Sequence, residues 1–230
     1  MRTVEKKEAK GSLRWIRTFV NDYTSTIDQA VKVACSFSKT SKIKWVSPLA
    51  NDDFAEYRDH SFLQRLQIEL PHFQLNDFWP NRGPQWDALA KTTNGEIILV
   101  EAKANIPEIV SPGTLASRSS KEHIEKSLSA TKEYLGVPLE IPWSGKLYQY
   151  ANRIAHLYLL RKLNQIPAYM VFVYFIGDDN VDGPGSIEEW KAATMVTKRI
   201  LGLSDNNKLS KYIKNVYLDV RNVQSPAHIK

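Results

Sequence analysis

The stretch "PQWDALAKTTNGEIILVEAK", residues 84–103, decides the fold. It holds two extended segments, 84–92 and 95–103, on either side of Thr93-Asn94-Gly95. Asn-Gly is the strongest short-range hairpin cue, because both positions tolerate the positive φ that a tight turn requires. A hairpin puts Asp87 in one arm, and Glu101 and Lys103 in the other. Side chains two apart on a strand share a face, so Glu101 and Lys103 project together, and pairing brings Asp87 alongside them. Ile97, Ile98, Leu99 and Val100 run directly into this carboxylate and ammonium, which poses a choice. Either a surface ion pair closes a strand, or converging carboxylates offer oxygen ligands to a hard cation such as Mg²⁺.

Glu-X-Lys alone carries little information, and the chain contains it four times. Glu5/Lys7 and Glu8/Lys10 fall in a charged N-terminal stretch. Glu189/Lys191 falls in a predicted helix, where residues two apart do not face each other. Only Glu101/Lys103 closes an apolar strand and follows a second strand that carries an Asp.

Outward from the hairpin, helices and strands alternate. Apolar residues at mixed three- and four-residue spacing predict one or two helices over 12–36, and "KIKWVSPL" (42–49) a short strand. A helix is expected over 51–70, with Phe54, Tyr57, Phe62, Leu63 and Leu66 mainly on one face. Ser119 and Glu122 form a capping-box pattern for a helix over 119–135, and a more apolar helix follows over 145–163. "AYMVFVYFI" (168–176) is apolar on both faces, as a central buried strand should be. A helix over 186–201 and a strand over 214–220 complete an α/β pattern around a mixed central sheet flanked by helices.

Asp87, thirteen intervening residues, and Glu101-Ala102-Lys103 across a hairpin resemble the PD-(D/E)XK nuclease superfamily, with its restriction-endonuclease-like fold. The family proline stands directly before the Asp, whereas here Pro84 stands three residues earlier. The resemblance covers residues ~50–176 and implies hydrolysis of phosphodiester bonds in nucleic acid, DNA more often than RNA. It implies that Asp87, Glu101 and the backbone carbonyl of Ala102 ligate Mg²⁺, with Mn²⁺ as a substitute, and that Lys103 positions the attacking water. It further implies an acidic residue from the helix before the hairpin, for which Glu56 is the first choice, Asp59 the competitor and Glu69 a distant third. The helix after the acid-X-Lys strand often carries a Gln, here Gln149, with Tyr148, Asn152 and Arg153 as substrate-side contacts. Branches with Gln-X-X-X-Tyr have Tyr where this chain has Arg153. A nuclease-fold protein that binds nucleic acid or a partner without cutting is the alternative.

At 230 residues and 43% hydrophobic, the chain can bury a full core as one domain, with an N-terminal helical extension (1–48) and a core over ~50–220. The net charge of +6 suits a polyanionic partner, although the basic residues are dispersed. Oligomeric state stays open, a homodimer included. Arg82, between Trp79 and Trp86, is a candidate grip on substrate, as are Arg118 and Lys121 at the end of the Pro/Gly/Ser-rich segment 105–121. For the tryptophans, core filling is the competing reading.

Cys35 is the lone cysteine, which excludes a disulfide framework and a cysteine zinc site and fits a buried thiol. No apolar run approaches the ~20 residues of a membrane span. The start is charged, so a cytoplasmic location is expected and no membrane partner. "DDNVDGPGSIEE" (178–189) matches an EF-hand loop in letters, but it follows a strand, and Glu189 pairs with Ser186 as a helix cap. His123 is expected to be a solvated surface residue.

Overall fold

The structure, a computed structural model, describes residues 1–4 and 9–223. The Glu5/Lys7 pair lies outside them. In chain order the elements begin with β1 (Arg2–Thr3), α1 (Gly11–Asn21), α2 (Thr24–Cys35), β2 (Ile43–Ser47) and β3 (Glu56–Tyr57). There follow α3 (His60–Leu66), α4 (Leu75–Phe78), β4 (Ala88–Thr92) and β5 (Ile97–Lys103). The chain continues through α5 (Arg118–Leu135), α6 (Tyr148–Tyr158), β6 (Ala168–Ile176), α7 (Ile187–Ile200) and β7 (Ile213–Asp219).

Five strands form one mixed sheet in the order β2-β4-β5-β6-β7. β2 and β5 each pair antiparallel with β4 between them, and β5, β6 and β7 are parallel. The predicted hairpin is β4–β5, with Ala88 opposite Val100 and Lys91 opposite Ile97. Gly95 takes a φ of +91°, open to glycine without a Cβ clash, which is why this turn closes here.

Strands β5 and β6 are buried on both faces, and alternation along each divides the core in two. Ile98, Val100 and Ala102 join Val171, Val173 and Phe175 under α1 and α2. Those helices present Trp15, Ile16, Phe19 and Val20, then Ile27, Val31 and Cys35, at the three-to-four spacing of a single buried face. On the other face Leu89, Ile97, Leu99, Met170, Phe172 and Tyr174 pack with residues of α5, α6 and α7, Trp190 among them. Glu101 and Lys103 share the side of Leu99, so they face α6.

The stretch read as an N-terminal extension therefore supplies a whole layer of the fold, and its β2 is an edge strand of the central sheet. The helix expected over 51–70 forms only as α3. Asp53, Phe54 and Asp59 all adopt positive φ, which interrupts a helical run, and residues 56–57 pair instead with Arg2–Thr3. Helix α5 is capped by Ser117, whose hydroxyl accepts the N–H of Ser120, two residues before the expected Ser119. Helix α6 ends at Tyr158 and passes into a π-helical turn over Leu159–Leu163. Ser186 does cap α7, accepting the N–H of Glu189. Among the described residues no helix is long and apolar enough to cross a membrane.

Candidate active site

The hairpin register ends at Ala88–Val100, and Asp87 precedes β4 in a bend at the open end of the hairpin, beside the Glu101 end of β5. Asp87 Oδ2 accepts the backbone N–H of Ala102 at 2.7 Å, tying the two arms together at this point. Glu101 is 1% exposed and Lys103 8%. A carboxylate this deep must be paired, and Glu101 is paired twice. Lys103 Nζ donates to Oε1, and Arg153 Nε donates to Oε2 at 2.6 Å. Lys103 also donates to Gln149 Oε1 at 2.9 Å, so the expected glutamine of α6 does reach the acid-X-Lys strand.

Helix α6 supplies the far wall because its Gln149, Asn152 and Arg153 lie three to four residues apart, on one side of the helix. Arg153 is the most constrained of them. Its Nη1 donates to Asn152 Oδ1 at 2.9 Å and its Nη2 to the Gln85 carbonyl at 2.7 Å. The guanidinium carbon stands 5.0 Å from the ring centroid of Trp86.

Glu56 reaches the same cleft from β3 rather than from a helix. It is buried, and Gln85 Nε2 donates to its Oε2 at 2.5 Å. Gln85 thus bridges Glu56 through its side chain and Arg153 through its carbonyl. Asp59 is turned elsewhere, its Oδ1 accepting the N–H of Gly83 at 2.9 Å, and Glu69 is exposed away from the cleft.

Electrostatically the three carboxyls differ. Burial holds Asp87 well above the usual carboxylate range, and the nearby Glu101 and Glu56 push it the same way against weaker pull from Lys103. Burial also raises Glu56, opposed by the Gln85 hydrogen bond and by Arg17. Burial would raise Glu101 too, but Arg153 first and then Lys103 reverse this and hold it below its ordinary value.

The cleft over these groups is open, with a volume of about 520 Å³, lined by Glu56, Gln85, Asp87, Gln149, Asn152 and Arg153 and rimmed by Val110, Ser111 and Pro112. The segment after Lys103 therefore lies against it. Tyr148 lines this cleft and also a neighbouring one of about 410 Å³ that contains Arg82, Thr114 and Ser117. Lys121 is exposed on the first turn of α5 and lines neither, so it does not join the expected substrate contacts. Arg118 is paired with Glu122 at 3.3 Å, and His123 Nε2 meets the Asp77 carbonyl at 2.9 Å. Trp79 and Trp86 are core residues, 2% and 0% exposed. Asp178 of the EF-hand-like stretch accepts the indole N–H of Trp15 at 2.7 Å, and Glu189 caps α7. A larger groove of about 740 Å³ between α2 and β7 is lined mainly by groups such as Phe19, Val33 and Leu218, and its one carboxyl, Asp219, is taken by Arg221.

The donors at the hairpin end are carboxyl and carbonyl oxygens, the chemistry that Mg²⁺ accepts, and Mg²⁺ needs only one or two carboxylates beside its waters. Asp87 Oδ1 takes no hydrogen bond among the described residues, and each Glu101 oxygen has a second lone pair beyond its ion pair. On those grounds Asp87, Glu101 and the Ala102 carbonyl fit a hard cation. No group of three or more His, Cys, Asp or Glu side chains among the described residues is already gathered as a metal cage.

Gln85 is the residue of the site that spacing alone does not reveal. The one available signal is an Arg in the mostly apolar "YANRIAHLY", since a buried guanidinium requires acceptors. No protein-family model matches the chain, and neither does any curated protein or solved structure.

Proposed function

We propose that the protein is a metal-dependent nuclease of the PD-(D/E)XK type, with a restriction-endonuclease-like fold, acting on nucleic acid and most naturally on DNA. The observation that carries this reading is the meeting of Asp87, Glu101 and Lys103 at one end of the β4–β5 hairpin, where Asp87 lines the cleft and Glu101 and Lys103 lie beneath it, bonded to the cleft-lining Arg153 and Gln149.

Asp87, Glu101 and the Ala102 carbonyl would hold Mg²⁺ or Mn²⁺. When bound, the ion supplies Lewis-acid stabilisation of charge building on the phosphoryl oxygens. Lys103 directs two of its three N–H bonds to Glu101 and Gln149, leaving the third for the attacking water or a non-bridging phosphate oxygen. Gln149 fixes the ammonium from the far wall. Glu56, oriented by Gln85, offers an acceptor beside the cleft for a bound water. Tyr148 and Asn152 line the floor along which a strand would pass, and Arg82 stands exposed in the adjoining cleft to meet a neighbouring phosphate.

A second reading has its own observation. Both Glu101 oxygens are already paired with protein cations, as suits a site that keeps the fold and binds nucleic acid without cutting.

Incubation of supercoiled plasmid and single-stranded DNA with Mg²⁺ or Mn²⁺, beside an EDTA control, separates the two. The nuclease reading expects nicking or degradation that EDTA stops and that folded Asp87→Asn and Lys103→Met variants lose. Binding of DNA with no cleavage of DNA or RNA under any of these conditions would favour the second reading.

A further inference from the structure

We propose that Arg153 is a built-in second cation of this site, so that the cleft takes one divalent ion and not two. The inference rests on the metal-assisted reading above and specifies the metal content of that centre.

The guanidinium stands among three oxygens of different origin. These are Glu101 Oε2 at 2.6 Å, the Gln85 carbonyl at 2.7 Å and Asn152 Oδ1 at 2.9 Å. A carboxylate, a backbone carbonyl and a side-chain amide oxygen are also what a hard divalent cation collects. Here they are collected by a guanidinium, a cation tethered to the chain that cannot diffuse away. Arg153 is 3% exposed and lies over Trp86, so it is held by that ring as well as by its hydrogen bonds.

The distribution of carboxyls points the same way. Glu101 has Lys103 on one oxygen and Arg153 on the other. Glu56 has the Gln85 amide and the attraction of Arg17 and Arg153. Neither Asp87 nor Glu56 has a cation bonded to it among the described residues, but Glu56 takes the Gln85 amide, whereas Asp87, at the cleft beside Glu101, takes a backbone N–H alone. One divalent ion beside Asp87 meets that deficit. A second would have to displace Arg153 from Glu101 or sit against its charge. Arg153 also holds Oε2 to one side, which leaves Glu101 able to share Oε1 between Lys103 and an ion at Asp87.

The test is a count of Mn²⁺ bound by the full-length chain, read from the loss of the free-ion electron paramagnetic resonance signal during titration, without substrate. The expected result is one Mn²⁺ per wild-type chain, none in Asp87→Asn, one in Arg153→Lys and two in Arg153→Gln, each variant checked for folding by circular dichroism. Two Mn²⁺ bound to the wild type would overturn the proposal while leaving a nuclease reading intact. A folded Arg153→Gln chain that still binds one would overturn the role given to Arg153. No Mn²⁺ bound by the wild type at millimolar concentration would remove the metal-assisted reading itself, and this inference with it. Should Arg153→Gln fail to fold, the wild-type count still decides.

Discussion

The two arms of one hairpin end in neighbouring carboxyls that live in opposite electrostatic conditions. On the β5 arm, Glu101 is buried between Lys103 and Arg153 and is held ionised below its ordinary range. On the β4 arm, Asp87 has one backbone N–H and no cation bonded to it, and burial with two neighbouring carboxyls holds it well above that range. The contrast separates two jobs that adjacent acids can perform. Glu101 is satisfied within the protein and fixes the geometry of the strand end. Asp87 is left short of positive charge at the mouth of a cleft, where a diffusible cation can supply it.

The largest effect that tests this contrast is on catalysis. Asp87→Asn and Lys103→Met should each lower DNA cleavage by about a thousandfold or more in a plasmid-nicking assay. Metal and ammonium stabilisation of the phosphoryl charge amounts to several kcal/mol, and each 1.36 kcal/mol is a factor of ten. The next effect is on folding and belongs to the other arm. Glu101→Gln or Arg153→Met leaves one buried charge short of a partner and should cost about 3–5 kcal/mol in urea unfolding. Replacing both together should recover part of that loss. If the single variants cost under about 1 kcal/mol, Glu101 is not the satisfied member of the pair.

Asp87→Asn should behave in the opposite sense. Its folded-state pKa is raised, so the native chain binds more protons than the unfolded one, and stability falls as pH rises through that raised value. In metal-free buffer at pH 7.5 the Asn variant should therefore melt higher than wild type, by ~2–4 °C for each kcal/mol relieved. The difference should vanish towards pH 4, and its persistence there would point to packing instead. The smallest expected effect is at the exposed Arg118–Glu122 pair on α5. Arg118→Ala should cost only about 0.3–0.5 kcal/mol, against the several expected for the buried arginine one helix away.

How much of this was legible in the sequence depends on how local the cause is. The hairpin was, because Asn94-Gly95 and the extended apolar segments on either side specify the turn within twenty residues. Gln149 was named through the resemblance of the motif, but its bond to Lys103 comes from how α6 is placed. The placement of Glu56 was not legible. "NDDFAEYRDH" spaces its apolar residues like a helix, and only pairing with Arg2–Thr3, more than fifty residues away, makes Glu56–Tyr57 a strand. The two N-terminal helices were found, but their place as a layer against the sheet depends on β2 pairing with β4. Arg153 was expected at the substrate side. Its grip on Glu101 spans 52 residues and rests on how α6 lies across β5, which no local spacing encodes.

Thermal unfolding with and without Mg²⁺, in wild type and in Asp87→Asn, tests most directly whether Asp87 is a carboxyl short of a cation. Binding to the native state alone raises stability by mass action. The predicted result is a melting temperature that climbs with Mg²⁺ concentration in wild type, in EDTA-treated protein, and stays flat in Asp87→Asn. Equal stabilisation of both proteins, or of neither, would contradict the account.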